Sequence, residues 1–334
     1  MKLLRLLLFP LAPLYYLFTS IRNLCFESGL LHSSRFPVFT IGVGNLTLGG
    51  TGKTPMAEYI IALCSDDFNM ALLSRGYGRR TKGFVMADED SHASDIGDEP
   101  LQIKQKFSNL IVAVDGNRCR GVTKLLELNH PPDLIVLDDV LQHRSISTDV
   151  KILLTTYNQP YFKDYILPIG DLREPRQGAH RADLIVVTKC PQGLSQKEKD
   201  EFLLKLKPMS HQSVWFSAIA YSSEVFSFVN SMALEEFIKA PFTLVTGIAQ
   251  PAPLVKFLEE LGAKFEHLKF ADHHQFSSEE LDYIASMEKI LTTEKDFVRL
   301  RGLSNTSQCY YLPIKTKMFD QDNFKATLKS YFKV

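Results

Sequence analysis

A glycine-rich segment stands out among the residues that could do chemistry. Residues 44–55 read GNLTLGGTGKTP and follow the β-branched run 37–43. Small residues let successive backbone N–H groups converge on phosphate oxygens, while Lys53 adds positive charge and the Thr54 hydroxyl can ligate magnesium. The segment predicts a phosphate-binding P-loop that holds a nucleoside triphosphate. Its predicted nucleotide-binding residues are Thr47, Gly49, Gly50, Thr51, Gly52, Lys53 and Thr54.

The first position of this motif departs from the common form. The pattern G-x-x-x-x-G-K-[ST] would place a glycine at residue 47, where this chain has Thr47. The uninterrupted GGTGKT is nevertheless preceded by a strand-like run and followed by the helical stretch 55–64. The alternative is a structural turn without a ligand, and the context favours nucleotide binding.

Two carboxylates follow a continuous apolar run, 134–137. A P-loop enzyme needs a carboxylate at the end of a neighbouring strand to hold magnesium or its water shell. An aspartate in this place can also be only a turn former. In a chain with a P-loop, we expect Asp138 to be the first metal ligand and Asp139 the second, together with Thr54.

Two further segments carry titratable groups. Asp98 lies in GDEP, residues 97–100, and is either a charge at a helix start or a base that accepts a hydroxyl proton. Residues 271–276, ADHHQF, hold adjacent histidines. The spacing companions of a zinc site are missing, so the pair is either a surface pair or includes a proton carrier or orienting partner.

Basic residues recur beside glycines in residues 73–80, 142–144 and 172–176. Each charge alone is typical of a solvated surface. Together, near glycines that permit close approach, they predict a site for an anionic substrate.

Short buried runs alternate with helical stretches along the whole chain, which predicts parallel α/β sheets. With 334 residues, 45% of them hydrophobic, we expect two α/β units. The predicted boundaries are an N-terminal helix in 1–30, a nucleotide-binding domain in 31–150 and a second domain in 151–334. Residues 165–178, rich in proline and glycine, are the best candidate for a loop or ribbon near the junction.

The charge balance and the cysteine pattern exclude other classes of protein. Lys plus Arg and Asp plus Glu both number 38, so no basic field favours nucleic acid. The five cysteines are scattered and odd in number, which is typical of reduced thiols in the cytosol. They are Cys25, Cys64, Cys119, Cys190 and Cys309.

The N-terminus is apolar and flanked by basic residues. Residues 1–26 read MKLLRLLLFPLAPLYYLFTSIRNLCF, with no small-residue cleavage site. The uncharged run 6–21 is shorter than the roughly 20 apolar residues of a membrane span and contains Pro10 and Pro13. A helix lying in the membrane interface is favoured over a spanning anchor or an ordinary buried helix.

These segments, in this order, resemble the tetraacyldisaccharide 4′-kinase (lipid A 4′-kinase) family of Gram-negative bacteria. The resemblance covers almost the whole chain and rests on VGNLTLGGTGKTP, LLSRGYGR, GDEP, DGNR, LDDVLQHR, LPIGDLREP, VVTKC, FADHHQF and LTTEKD. Many members have DDGFQHR where this chain has Val140 and Leu141, which changes local backbone freedom and leaves the acids in place.

The resemblance implies transfer of the γ-phosphate of ATP, with Mg²⁺, to the 4′-hydroxyl of a tetraacyl glucosamine disaccharide 1-phosphate, giving lipid IVA. It implies two P-loop-type α/β/α domains joined by a β-ribbon, a membrane-associating N-terminal helix, and a place at the cytoplasmic face of the inner membrane. It also implies Asp98 as the catalytic base, His273 as its partner, and an acceptor site that includes Asn45, Arg75, Arg118, His143, Arg144 and Arg173.

Two readings from other classes compete with a kinase. A P-loop ATPase or GTPase switch would hydrolyse nucleotide without a sugar acceptor, but it has no need of GDEP or FADHHQF. Its base-specifying N-K-x-D signature is also absent, and residues 187–190 are only faintly similar to it. A docking scaffold with a degenerate nucleotide site would not need Lys53, Thr54, Asp138 and Asp139 intact.

Overall fold

The computed structural model describes residues 8–272, 274–300 and 306–333. Its longer helices are α1 (Leu11–Glu27), α2 (Lys53–Cys64), α3 (Ala93–Ile96), α4 (Asp98–Lys106), α5 (Arg118–Leu126), α6 (Gln196–Leu206), α7 (Leu234–Phe237), α8 (Ala252–Glu260), α9 (Ser278–Ala285), α10 (Glu294–Arg299) and α11 (Gln321–Ser330). Its strands are β1 (Phe39–Asn45), β2 (Met70–Ser74), β3 (Val85–Met86), β4 (Ile111–Val114), β5 (Leu134–Asp138), β6 (Val150–Thr156), β7 (Leu184–Thr188), β8 (Ser213–Tyr221), β9 (Glu224–Phe226), β10 (Ser231–Ala233), β11 (Phe242–Thr246), β12 (Phe265–Lys269), β13 (Ile290–Thr293), β14 (Cys309–Leu312) and β15 (Ile314–Met318).

The first sheet has nine strands in the order β15-β8-β7-β6-β1-β5-β2-β4-β3. All neighbours pair in parallel except the two edge strands, β15 and β3, which are antiparallel. The central strands β2, β5 and β7 are buried along their whole length, because hydrophobic clusters cover both faces of the sheet. Parallel strands bring the carboxyl ends of β1, β5 and β2 to one edge, where ligands bind in such sheets.

The predicted boundary between residues 150 and 151 does not separate the two sheets. It falls at the start of β6, which pairs with β1 through Ile41 and Val150, and β7 and β8 continue the same sheet. A run of buried apolar residues predicts a strand and carries no information about which sheet it joins. The second unit therefore consists of residues 222–313, and the chain then returns to the first sheet.

The second sheet has six strands in the order β10-β9-β14-β13-β11-β12. Strands β14, β13, β11 and β12 are parallel, and β9 and β10 add an antiparallel edge. The connection between the units is the antiparallel pair β8–β15, in which Tyr221 lies opposite Ile314. The ribbon is thus present, and residues 165–178, predicted as a loop or ribbon, form a loop beside the P-loop.

Helix α1 lies against the first unit through its polar side chains. It begins after Pro10, and Pro13 occupies its first turn, where a missing backbone N–H costs nothing. Tyr15, Arg22 and Asn23 reach the protein, while large apolar side chains on the other side are exposed. Within the described ranges, the structure contains no helix with the length and apolar character needed to cross a bilayer.

Candidate active site

The P-loop connects β1 to α2 at the carboxyl edge of the first sheet. Gly49, Gly50 and Gly52 all have positive φ angles, of 63°, 62° and 87°. A Cβ built on any of them would meet no atom within 4 Å, so their backbone faces open space. Glycine removes the steric cost of this conformation, and the loop presents its amides at the start of α2. This is the backbone cradle that a phosphate chain requires.

Side chains hold the P-loop in this shape. Asn45 Nδ2 donates to Thr51 Oγ1 at 2.8 Å, and the hydroxyl of Thr188, at the end of β7, donates to the Thr51 carbonyl at 2.8 Å. Lys53 Nζ lies 3.5 Å from Asn45 Oδ1 and 3.6 Å from Asp139 Oδ1. The ammonium of Lys53 therefore sits between the loop and the acidic pair.

Asp138 and Asp139 follow β5 and have different surroundings. Asp138 is buried, its Oδ2 accepts from the Ser74 hydroxyl at 3.2 Å, and its Oδ1 has no partner among the described residues. Burial, and then the negative charge of Glu99, raise the pKa of Asp138 to about 6, although Lys53 opposes them. Asp139 is only half-buried, and Lys53 and Arg173 outweigh the effect of that burial and lower its pKa.

The loop between β6 and β7 closes against the P-loop. Thr47 forms an isolated bridge with Leu172, and Leu48 N donates to the Asp171 carbonyl at 2.8 Å. This places Arg173 Nη1 at 2.9 and 3.1 Å from the two carboxylate oxygens of Asp139. Residues 165–178 therefore position a cation beside the acidic pair.

Asp98 begins α4 and is held from the second unit. Arg299 of α10 donates from Nε and Nη2 to Asp98 Oδ2, at 2.8 and 2.6 Å. The same guanidinium donates to Asp296 Oδ1 at 3.1 Å. Two neighbouring contacts join α4 to α10, because Lys106 pairs with Glu294 at 3.3 Å and Lys295 with Glu99 at 3.4 Å. Asp98 thus lies at the junction of the two units.

Gly97, directly before Asp98, allows the backbone of residues 75–78 to approach the start of α4. Its φ angle is 92°, and a Cβ at this position would lie 2.8 Å from the carbonyl oxygen of Tyr77. Real Cβ atoms do not approach a carbonyl oxygen that closely. Only glycine fits, so the segment 75–78 packs directly on the start of α4.

The second histidine of residues 271–276 has an internal partner. His274 Nε2 lies 2.8 Å from Glu280 Oε2, and its ring stacks on Phe270 with centroids 4.9 Å apart. His273, the predicted partner of Asp98, lies outside the described residues. Its role therefore stays a prediction from the resemblance.

Comparisons with known proteins agree with this geometry. A family model described as tetraacyldisaccharide-1-P 4′-kinase matches residues 4–333. The chain belongs to this 4′-kinase family. The tetraacyldisaccharide 4′-kinase of Flavobacterium johnsoniae is 47% identical over 337 residues, which is 100% of this chain and 98% of the relative. That of Bacteroides fragilis strain ATCC 25285 is 38% identical, over 97% of this chain and 92% of the relative.

The fold of a solved 4′-kinase structure matches as well. The crystal structure of the "apo" form of LpxK from Aquifex aeolicus in complex with ATP aligns with a TM-score of 0.81 and 28% sequence identity. The alignment covers 98% of this chain and 99% of the other. Fold class, family and kinase activity, as the sequence predicted them, are confirmed.

Two residues predicted to contact the acceptor of the 4′-kinase are instead buried supports. Asn45 is fully buried and holds the P-loop. Arg118 is 1% exposed and donates to the backbone carbonyls of Asp115 and Asp138, at 2.5 and 2.9 Å. Burial lowers the pKa of Arg118 to about 10. Both side chains point into the protein, where Asn45 holds Thr51 and Arg118 holds backbone carbonyls, so they shape the site from behind.

Four predicted acceptor residues remain, and of these Arg173 contacts the acidic pair directly. Arg75 is exposed, and its charge, with that of Arg118 and with burial, lowers the pKa of His143 to about 4. His143 is therefore neutral at neutral pH. Arg144 donates to the Asn23 carbonyl and to Glu27 of α1, at 3.1 and 3.2 Å. Arg173 is engaged by Asp139, as described above.

Sequence reasoning missed several residues of this site. Gln142 Nε2 donates to the Asn45 carbonyl at 2.8 Å and to Glu174 at 3.0 Å, which links the P-loop to the loop 165–178. Arg299 engages Asp98 across the two units. Gln142 lies in LDDVLQHR and was detectable as part of that motif. Arg299 lies beyond LTTEKD, 201 positions from Asp98, and no local pattern connects the two.

Proposed function

We propose that this protein transfers the γ-phosphate of ATP to the 4′-hydroxyl of a tetraacyl glucosamine disaccharide 1-phosphate, giving lipid IVA and ADP. The observation that carries this function is the meeting of three groups at one edge of the first sheet. These are the open P-loop cradle with Lys53, the acidic pair after β5, and Asp98 at the junction of the units. The names of the relatives supply the acceptor.

In the proposed mechanism the chain positions the reactants. Backbone amides of residues 49–54 and the Lys53 ammonium hold the phosphate chain and neutralise charge that develops during transfer. Asp98 accepts the proton of the sugar hydroxyl, and Arg299 fixes the direction of its carboxylate. His273 is proposed to orient Asp98, as the resemblance implies. Thr47 and Leu48 tie the loop 165–178 to the cradle, which keeps Arg173 beside Asp139.

Asp138 and Asp139 are not equally suited to ligate a magnesium ion. Asp138 Oδ1 is buried and has no hydrogen-bond partner in the described ranges, and a hard oxygen of this kind is what Mg²⁺ prefers. We propose Asp138 and the Thr54 hydroxyl as its ligands, with Asp139 second because Arg173 already occupies both of its oxygens. When bound, the ion supplies charge neutralisation at the phosphates.

Helix α1 fits a protein that works on a bilayer substrate. Its exposed apolar residues face away from the site, while its polar face docks beside Arg173 and Gln142. Acyl chains stay in the bilayer, so only the sugar head needs to enter the cleft. We propose that α1 lies in the membrane interface, at the cytoplasmic face of the inner membrane, and brings the cleft to its acceptor.

The test is transfer of label from γ-³²P-ATP to purified tetraacyldisaccharide 1-phosphate in mixed micelles with magnesium. Wild type and the control Lys207→Ala, at an exposed residue directly after α6, are expected to give labelled lipid, and Lys53→Ala is not. Nucleotide hydrolysis by the wild type without labelled lipid would replace this function with that of an ATPase switch.

A further inference from the structure

A cavity of about 310 Å³ lies beside the candidate active site. It opens between the loop that follows β5 and the start of β6, and Gly42 of β1 forms part of its floor. Its polar lining consists of Ser33, His143, Arg144, Ser147, Thr148, Lys151 and Arg181, and no residue that lines it is acidic. A cavity rich in donors and free of carboxylates selects for anions.

Lys151 lies at this cavity without a close ion-pair partner among the described residues. Its Nζ donates only to the Thr148 carbonyl, at a long 3.3 Å, and it forms no ion pair within the described part of the chain. Arg144 and Arg181 differ, because they pair with Glu27 and Glu174. Burial lowers the pKa of Lys151, the charges of Arg181 and Arg144 add to that shift, and the carboxylates of Asp183 and Asp149 oppose it.

The Thr148 hydroxyl is the second independent sign of a ligand. Its side chain is only 6% exposed, and its Oγ1 has no hydrogen-bond partner among the described residues. A buried hydroxyl without a partner costs free energy, typically about 1–3 kcal/mol, and such groups are rare in native proteins. The hydroxyl lies beneath the cavity surface, so a ligand oxygen would satisfy it once the Thr148 side chain rotates toward the cavity.

We propose that this cavity binds a phosphate monoester, with Lys151 and Thr148 as its principal contacts. A phosphate is a dianion with several acceptor oxygens, which matches an ammonium that has no close ion pair in the described part of the chain and is surrounded by hydroxyl and guanidinium donors. The cavity also lies close to the C-terminal end of α1, since Arg144 joins the two. The phosphate therefore comes from the acceptor's 1-position, from a phospholipid headgroup or from free phosphate.

The site itself is tested without any kinase activity. Inorganic phosphate is titrated by calorimetry into wild type, Lys151→Met, Thr148→Val and the control Lys205→Met, an exposed lysine of α6. Lys151→Met is expected to weaken phosphate binding about tenfold or more, and Lys205→Met is not. Thr148→Val is expected to raise the unfolding temperature without phosphate, because an unsatisfied hydroxyl becomes a methyl group, and to reduce the rise that phosphate produces.

Equal phosphate affinity in wild type and Lys151→Met would overturn the proposal, and so would the absence of saturable binding to the wild type. Since neither measurement involves phosphoryl transfer, a failure here is distinct from a failure of the proposed kinase function.

The source of the phosphate is then assigned by two comparisons, the first of which rests on the proposed function. If the acceptor supplies it, Lys151→Met raises KM for the 1-phosphorylated disaccharide and leaves KM for the disaccharide without that phosphate unchanged. If a bilayer lipid supplies it, Lys151→Met weakens binding to phosphatidylcholine vesicles that contain phosphatidic acid and not to pure phosphatidylcholine. Weakened binding of inorganic phosphate alone assigns the site to the free anion.

Discussion

At the residue scale, the carboxylate of Asp98 has a feature that its motif did not reveal. It begins a helix of the first unit, yet its strongest described contacts come from Arg299 of the second. Charge-assisted hydrogen bonds of this length fix a side chain in one direction. The orientation of the proposed base therefore depends on both units.

Asp98→Asn should slow lipid phosphorylation by about 10² to 10⁴ while ATP affinity stays within a small factor of wild type. The amide keeps the size of the side chain and loses the ability to accept a proton. Single-turnover transfer and nucleotide binding, measured on the same preparation, check this. Turnover equal to that of wild type would show that another group is the base.

Comparison of two glycines separates the steric clash of a Cβ next to Asp98 from the effect of backbone strain. Gly97 and Gly29 both have positive φ angles, 92° and 77°, but only a Cβ at Gly97 would strike a neighbour. Gly97→Ala should therefore lower the free energy of unfolding by about 1–3 kcal/mol more than Gly29→Ala does. Urea denaturation of both variants measures the difference. Equal losses would mean that backbone strain alone decides the effect.

At the scale of elements, α1 has two faces with different tasks. Its polar side is fixed by the Tyr15 hydroxyl, which donates to the Arg173 carbonyl at 2.8 Å, and by Arg22, which donates to the Gln142 carbonyl at 2.7 Å. Its apolar side leaves Leu14 64% and Phe18 68% exposed. The same helix thus touches the loops around Asp139 and offers surface to a bilayer.

The double variant Leu14→Ser, Phe18→Ser should lower partition onto lipid vesicles by roughly 100-fold, because each side chain contributes about 1.5–3 kcal/mol when it leaves water. ATP affinity should not change. The control Leu204→Ser removes a 75% exposed leucine of α6 and should bind vesicles as wild type does. Vesicle flotation checks the prediction, and undiminished flotation of the double variant would exclude α1 as the membrane contact.

The positions of strands and helices were largely predictable from the sequence. The sheet to which each strand belongs was not. The P-loop strand, its helix and the strand before Asp138 follow from local patterns of burial and glycine spacing. Assignment of β6, β7 and β8 to the first sheet depends on pairing between strands such as β1 and β6, which a single strand's composition does not encode. For the same reason the roles of Asn45 and Arg118 were misjudged, since motif residues can serve either ligand or scaffold.

At the scale of the whole molecule, the two units meet through a buried charged cluster. Lys106 of α4 lies 2.6 Å from Glu58 and 3.3 Å from Glu294. Burial, and then the charge of Glu58, raise the pKa of Glu294 to about 7, although Lys106 opposes them. The folded protein therefore favours the protonated carboxyl at this junction.

Stability should consequently fall as pH rises from 4.5 to about 7. In that window the folded state binds more protons at Glu294 than the unfolded chain does, and the free energy of unfolding decreases with pH where this is so. Glu294→Gln should reduce the fall, whereas Glu260→Gln, at an exposed surface pair, should not. Urea midpoints at pH 5 and pH 8 check this. A fall of wild-type size in Glu294→Gln would assign the pH dependence to other groups.

The antiparallel pair β8–β15 also has a consequence for how the two-unit chain evolved. The chain leaves the first sheet after Tyr221 and re-enters it at Ile314, and these two residues are register partners. A two-residue hairpin turn could join them directly. The second unit thus has the topology of a module inserted at the tip of a hairpin, as if a simpler nucleotide-binding protein had acquired this unit in one genetic step. A chain with residues 222–313 replaced by such a turn would reconstruct that predecessor, with the cradle and Asp138 retained and Arg299 gone.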